Sequence, residues 1–178
     1  MLSFVEYRTS AIYHACCTQL ERINKLQRRF LRALDVSDDD ALQHYSLAPL
    51  SARRDMAMLG VIHRSVLGKG SGHFRRFFKI RIQVRRRQVT RDDKRRHPLQ
   101  LEDPRENRCT VFLTRSALGL IGVYNLLSTC IVSEGNVKAF QSALQSLLRE
   151  RSVCRTDDWA NTYSPRQPLY RHPLRGSN

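Results

Sequence analysis

Thr18-Gln19-Leu20-Glu21-Arg22-Ile23-Asn24-Lys25-Leu26-Gln27-Arg28-Arg29-Phe30-Leu31-Arg32-Ala33-Leu34 returns to an apolar side chain every three or four positions. At 100° per residue, Leu20, Ile23, Leu26, Phe30, Leu31 and Leu34 share one side, while Arg22, Lys25, Arg28, Arg29 and Arg32 share the other. That period predicts an α-helix with one packing face and one cationic face. Thr18 and Glu21 stand at capping-box spacing, where hydroxyl and carboxylate satisfy early backbone N–H groups, so the helix should begin there. Five like charges offset only by Glu21 repel one another, and a polyanion laid against them would relieve that repulsion. A plain solvated face is the alternative.

Outward from this helix the pattern stays helical. Leu2, Phe4, Val5, Ala11, Ile12 and Ala15 predict a first helix. Asp38, Asp39 and Asp40 follow Ser37 and precede the amphipathic Ala41–Leu47. They suit the positive end of a helix, and they lack the flanking apolar strands of a metal-binding carboxylate pair. A third helix is expected from about Leu50 to Leu67, entered after Pro49 and stopped by Gly68. Its apolar residues surround most of the circumference, which marks it as the buried element; Asp55 and His63 on it read as surface groups or satisfied hydrogen-bonders. Gly68-Lys69-Gly70-Ser71-Gly72 reads as a hinge, because a phosphate-binding loop would need a Gly-Lys-Ser/Thr ending and a preceding strand.

Beyond the hinge, Phe74, Phe77 and Phe78 interleave with Arg75, Arg76 and Lys79. Ile80, Ile82 and Val84 then alternate with Arg81, Gln83 and Arg85, a period of two that predicts a short strand with one basic face. Arg86, Arg87 and Arg91 extend the charge. Aromatic faces can stack bases while guanidiniums neutralise phosphates, although these phenylalanines could equally cap the core. A nuclear-import signal and a disordered linker are the other readings of the basic run. Residues 98–108 read as loop, Cys109–Leu113 as a strand, and Leu118–Leu127 as apolar but ambiguous in type. From Asn136 a helix resumes with Val137, Phe140, Leu144, Leu147 and Leu148 in a stripe. Proline-rich residues 155–178 predict an extended tail, docked by Trp159.

Length and charge bound the function. A chain of 178 residues with 41% hydrophobic content can build a modest core but not a large multidomain enzyme. Its 31 Lys and Arg against 16 Asp and Glu leave a net charge of +15, so an acidic partner is expected, with nucleic acid foremost. Arginine outnumbers lysine 26 to 5, which suits bidentate phosphate contact or reflects a GC-rich genome. Residues 73–97 carry the largest share of the excess. The expected organisation is therefore mainly α: a three-helix unit at 1–72, a basic linker and strand at 73–108, a helical segment at 109–154 and a tail at 155–178. Five irregularly spaced cysteines argue against a disulfide framework and for a reducing compartment, nucleus or cytoplasm. No apolar stretch reaches membrane-spanning length. His14, Cys16 and Cys17 lack a completing pair for zinc, and no cofactor motif is present.

Three blocks together carry a resemblance. Ser3-Phe4-Val5-Glu6-Tyr7 followed by Leu26-Gln27-Arg28-Arg29-Phe30-Leu31, then Leu47-Ala48-Pro49-Leu50-Ser51-Ala52-Arg53-Arg54, then Val123-Tyr124-Asn125-Leu126-Leu127 with Phe140-Gln141-Ser142-Ala143-Leu144, occur in the order found after the catalytic domain of non-LTR (LINE-type) retrotransposon reverse transcriptases. The chain resembles that thumb and post-thumb region over about two thirds of its length. Ser128 departs from the family, which often has proline there. No aromatic-x-Asp-Asp hairpin occurs, so the two-metal centre that activates a primer hydroxyl has no ligands. The resemblance implies a thumb-like unit at 1–72 and a non-catalytic fragment, truncated before the palm, that contacts template and primer through their phosphates. Its partners would be RNA or DNA and a missing palm domain, with no catalytic, metal or cofactor residues. The expected contacts are Lys25, Arg28, Arg29, Arg32, Arg75, Arg76, Lys79, Arg81, Arg85, Arg86, Arg87 and Arg91. An independent basic DNA- or RNA-binding regulatory protein is the alternative.

Overall fold

The computed structural model describes residues 9–81, 97–103, 111–114, 116–154, 156 and 158–175. They are mainly helical, as the apolar periodicity predicts. In chain order the helices are α1 (Thr9–Ile12), α2 (Cys17–Ala33), α3 (Asp38–Tyr45), α4 (Leu50–Val66), α5 (Gly72–Arg75), α6 (Val111–Thr114), α7 (Leu120–Leu126), α8 (Thr129–Val132) and α9 (Val137–Val153). A 3-10 turn at Ala117–Gly119 leads into α7, and three more at Trp159–Asn161, Leu169–Arg171 and Pro173–Arg175 close the described chain.

The core forms where α4 meets α9. Leu59 and Ile62 of α4 and Phe140, Leu144 and Leu148 of α9 are fully buried. Gly60 lets the two helices close, since a Cβ there would lie 2.5 Å from Gln141 Nε2. Leu120, Ile121, Val123 and Tyr124 of α7 join the same cluster, which runs unbroken from Tyr13 to Leu174. Residues 1–72 and 109–154, which the basic connector separates in sequence, thus contribute to one core. His63 lies inside it, its ring stacked 4.1 Å from Phe140. Nδ1 meets the Tyr124 hydroxyl at 3.0 Å and Nε2 meets the Glu134 carbonyl at 2.7 Å. The hydrogen-bonder reading of His63 is the one realised, and burial lowers its pKa.

Capping occurs at the Asp38–Asp40 helix start as the sequence predicts, with Ser37 supplying the acceptor, and a second cap forms at Asn136. Ser37 Oγ accepts from Asp40 N at 3.0 Å at the start of α3, and Asn136 Oδ1 accepts from Lys138 N at 2.9 Å at the start of α9. The capping box at Thr18 does not form. Helix α2 begins at Cys17 after an extended Cys16 without a side-chain cap, so Thr18 already lies inside the first turn.

The inward face of α2 is also rotated from expectation. Leu20, Gln27 and Leu31 are buried, whereas Leu26, Phe30 and Leu34 remain 48%, 50% and 56% exposed. The rotation follows from a bond the sequence hides: Gln27 Nε2 donates to the Ala48 carbonyl at 3.1 Å and pins α2 to the entrance of α4.

The glycine segment is not a loose hinge. Gly68 takes a left-handed φ of 74° and ends α4, the Lys69 N–H returns to the Arg64 carbonyl at 3.0 Å, and Lys69 Nζ reaches the Gly135 carbonyl at 3.0 Å. A Cβ on Gly70 would lie 2.8 Å from Ser65 Cα, so this turn folds tightly back onto α4. Of the predicted strand, Ile80 and Arg81 are described and Ile80 forms one antiparallel bridge with Leu101, while Ile82, Gln83, Val84 and Arg85 lie outside the described residues. Arg81 N donates to Gln100 O at 2.7 Å and Glu102 N to Lys79 O at 3.0 Å. Asn125 then occupies the other edge of Leu101, bonding its N–H at 2.8 Å and its carbonyl at 2.9 Å. With Asn125 mimicking a neighbouring strand, no second strand is required there.

Two further corrections concern the C-terminal half. Val111–Thr114, within the strand expected at Cys109–Leu113, is a helical turn; it leads into Gly119, where a Cβ would lie 2.6 Å from the Thr114 carbonyl oxygen. The tail is packed rather than extended. Prolines deny it regular helix, but the chain around its short turns still delivers side chains to the core. Trp159 docks half-buried, Tyr163 is fully buried with its hydroxyl donating to the Leu144 carbonyl at 2.6 Å, and Leu174 is buried beyond it. Among the described residues no helix is long and apolar enough to cross a membrane.

Candidate nucleic-acid interface

Pinning α2 by Gln27 and Leu31 turns its opposite side to solvent. Lys25, Arg28, Arg29 and Arg32 are all exposed and together line one shallow depression. Arg28 pairs with Glu21. Among the described residues no carboxylate pairs with Lys25, Arg29 or Arg32. Their charges therefore add into a positive field along one rigid helix.

The second expected group lies elsewhere. Arg75, Arg76 and Lys79 are exposed just beyond the C-terminal end of α4, with Arg75 donating to the Gly68 carbonyl. Helix α2 instead meets the N-terminal end of α4, through Gln27 with Ala48 and through Arg54 Nη2, which donates to Asn24 Oδ1 at 2.8 Å. A 17-residue helix is about 25 Å long, so the two groups form separate patches. Arg81 is partly buried at the Ile80–Leu101 bridge. The aromatic triplet splits, with Phe78 in the core and Phe74 and Phe77 about half exposed. Arg85, Arg86, Arg87 and Arg91 lie outside the described residues.

A second feature is not legible from sequence spacing. Between α2, the start of α4 and residues 160–166 lies a cavity of about 330 Å³, lined among others by Tyr13, Gln27, Arg28, Arg54, Asp55 and Arg166. Tyr13 donates to Asp55 Oδ1 at 2.8 Å. Burial pushes the Asp55 carboxyl up to about 7, against the opposing Tyr13 hydrogen bond and the charges of Arg54 and Arg166. Burial likewise raises the Tyr13 hydroxyl. The available signal was an Arg-Asp pair inside the most apolar helix, which neither residue could enter without a tertiary partner. Among the described residues no group of three or more His, Cys, Asp or Glu side chains gathers as a metal site.

Asp55 also predicts a pH response. Its folded pKa is raised, so the neutral form favours folding; that contribution is complete below about pH 4 and is lost as pH rises through about 7. Asp55→Asn keeps an acceptor for Tyr13 and removes the charge. The variant is expected to be about 1–3 kcal/mol more stable than the parent at pH 8, with the difference vanishing near pH 4. Urea titrations at both values measure this. His172, lowered to about 4 by burial, has the opposite trend, losing stability as pH falls below its ordinary range; it is common to both chains and cancels in the comparison.

Comparison with known proteins returns no match among family models, curated proteins or solved structures.

Proposed function

We propose that this chain binds RNA or DNA through backbone phosphates, without reading base sequence, and that the cationic face of α2 is its principal contact. The observation that carries this reading is the set of exposed cations Lys25, Arg29 and Arg32, held on one helix with no carboxylate partner among the described residues. Guanidinium and ammonium groups so placed release condensed counterions from a polyanion and position it without touching base edges. Arg75, Arg76 and Lys79 provide a second phosphate contact about one helix length away, which would favour a strand or duplex over a small anion.

The same proposal includes a non-catalytic origin in the thumb and post-thumb region of a non-LTR reverse transcriptase. Its support lies in the residues that carry the resemblance. Gln27 of the first block bonds Ala48 of the second, Arg54 of the second bonds Asn24 beside the first, and Tyr124 and Phe140 of the third enclose His63. The first two blocks thus meet in space, and the third packs on the helix that the second begins, as elements of one ancestral unit would.

Fluorescence anisotropy with a labelled duplex and a labelled single strand, between 50 and 200 mM salt, tests the reading. Lys25, Arg29 and Arg32 predict a log–log slope of about −3 on duplex, deepened to about −5 where Arg75, Arg76 and Lys79 engage the same duplex, with scrambled sequences bound equally. A salt-independent affinity, or strong preference for one sequence, would overturn it.

A further inference from the structure

The cavity beside α2 is not used by the contact just described, and its walls carry their own chemistry. We propose that it is a binding site for a phosphate monoester, the group borne by a nucleoside monophosphate or by the end of a nucleic-acid strand. This goes beyond the α2 reading and does not rest on it, although Arg28 borders both.

The first observation is the helix that opens into the cavity. Leu50 and Ser51, the first residues of the seventeen-residue α4, line it, and Pro49 before them supplies no side-chain cap. Early N–H groups and the positive end of the helix dipole are therefore left for an anion.

A second and independent observation is Arg54. It lies one turn into the same helix, lines the cavity and is only 5% exposed; its Nη2 donates to Asn24, yet among the described residues its buried Nη1 has no partner. A buried guanidinium with an orphan donor is costly unless an acceptor completes it. Gln27 Oε1, also buried and unpartnered on the same wall, can accept from a protonated phosphate or from a sugar hydroxyl.

Arg166 from the tail and Arg28 from α2 bring the guanidiniums to three, each from a different element. Three carboxyls share the walls. Glu21 is engaged by Arg28, Asp55 accepts from Tyr13 and loses its charge below neutral pH, and Asp38 stands at the start of α3. Arg28 and Glu21 cancel, which leaves Arg54 and Arg166 against Asp38 and an Asp55 that is neutral below about pH 7, so the walls carry net positive charge on the acid side of neutrality. With about 330 Å³ and the apolar Leu20 and Pro165 in its walls, the cavity also has room for the sugar that an ester carries.

Calorimetric titration of the full chain with inorganic phosphate, at fixed ionic strength against chloride, is the test. One saturable site is expected, and Arg166→Gln, on an exposed residue that the fold does not need, should weaken it about tenfold through one lost charge-assisted bond. Ser51→Asp places a carboxylate at the mouth of α4; it should raise the thermal midpoint without phosphate and abolish the phosphate response. Substitution of Lys25, Arg29 and Arg32 should leave phosphate binding intact, which separates this site from the α2 face. Adenosine 5′-monophosphate binding more tightly than a 5′-phosphorylated oligonucleotide assigns the free nucleotide as the source, and the reverse order assigns the strand end. Absence of phosphate binding, or binding unchanged in both Arg166→Gln and Ser51→Asp, overturns the proposal.

Discussion

Replacing Lys25, Arg29 and Arg32 together by glutamine is expected to weaken binding of RNA and DNA alike by about 100-fold at 0.15 M salt, and to flatten the duplex salt slope by about three. Each neutralised phosphate contributes about 0.9 to that slope, which near physiological salt amounts to roughly five- to sixfold in affinity per contact. Glutamine keeps the helix propensity and a donor on an unbranched though shorter stem, so the change acts chiefly through charge. All three residues are exposed, and their loss opens nothing in the core. Stability should move the other way. Lys25 faces Arg28 and Arg29, and Arg32 faces the same pair, at the three- and four-residue spacings where like charges repel. Removing those contacts should stabilise α2 by about 0.5–1 kcal/mol. Anisotropy and urea unfolding on the same variant read the two effects. Unchanged affinity would move the contact away from α2.

Phe140→Ala is expected to cost about 3–5 kcal/mol, a large part of the stability of a domain this size. Phe140 is fully buried on α9, stacked at 4.1 Å on His63 and 6.2 Å from the Tyr124 ring. Its removal leaves a void beside a neutral imidazole and a buried hydroxyl, both bonded in a dry environment that the void would wet. Phe30→Ala provides the contrast. Half of that ring already faces solvent, and the same deletion there should cost about 1 kcal/mol or less. Equal losses at the two positions would mean that the apolar strip of α2 is covered in solution.

Those two phenylalanines also mark what can and cannot be read from spacing. The period of three and four locates α4 and the start of α9 to within a residue, and the Asp38–Asp40 run announces the start of α3, because these signals act within one turn. It also places Phe30 inward, where the structure leaves it half exposed. Which side of α2 turns inward depends on an amide bonding a carbonyl twenty-one positions away, and no local pattern encodes that. The tail misleads for a related reason. Its prolines correctly exclude helix, yet Tyr163 finds the Leu144 carbonyl all the same. Of the cationic site, the α2 face was legible, since helical geometry alone gathers Lys25, Arg28, Arg29 and Arg32. The cavity was not, because Tyr13, Arg54 and Arg166 meet only after three elements have packed.

The burial of Tyr163 and Leu174 bears on how such a chain is made. Helices α4 and α9 are synthesised well before these side chains, so the nascent polypeptide carries an unroofed apolar centre until elongation passes Leu174. At ordinary translation speeds that interval lasts seconds, long enough for intermolecular capture. A premature stop anywhere in the preceding twenty codons would make the exposure permanent, and would send the product to quality control rather than to a folded state.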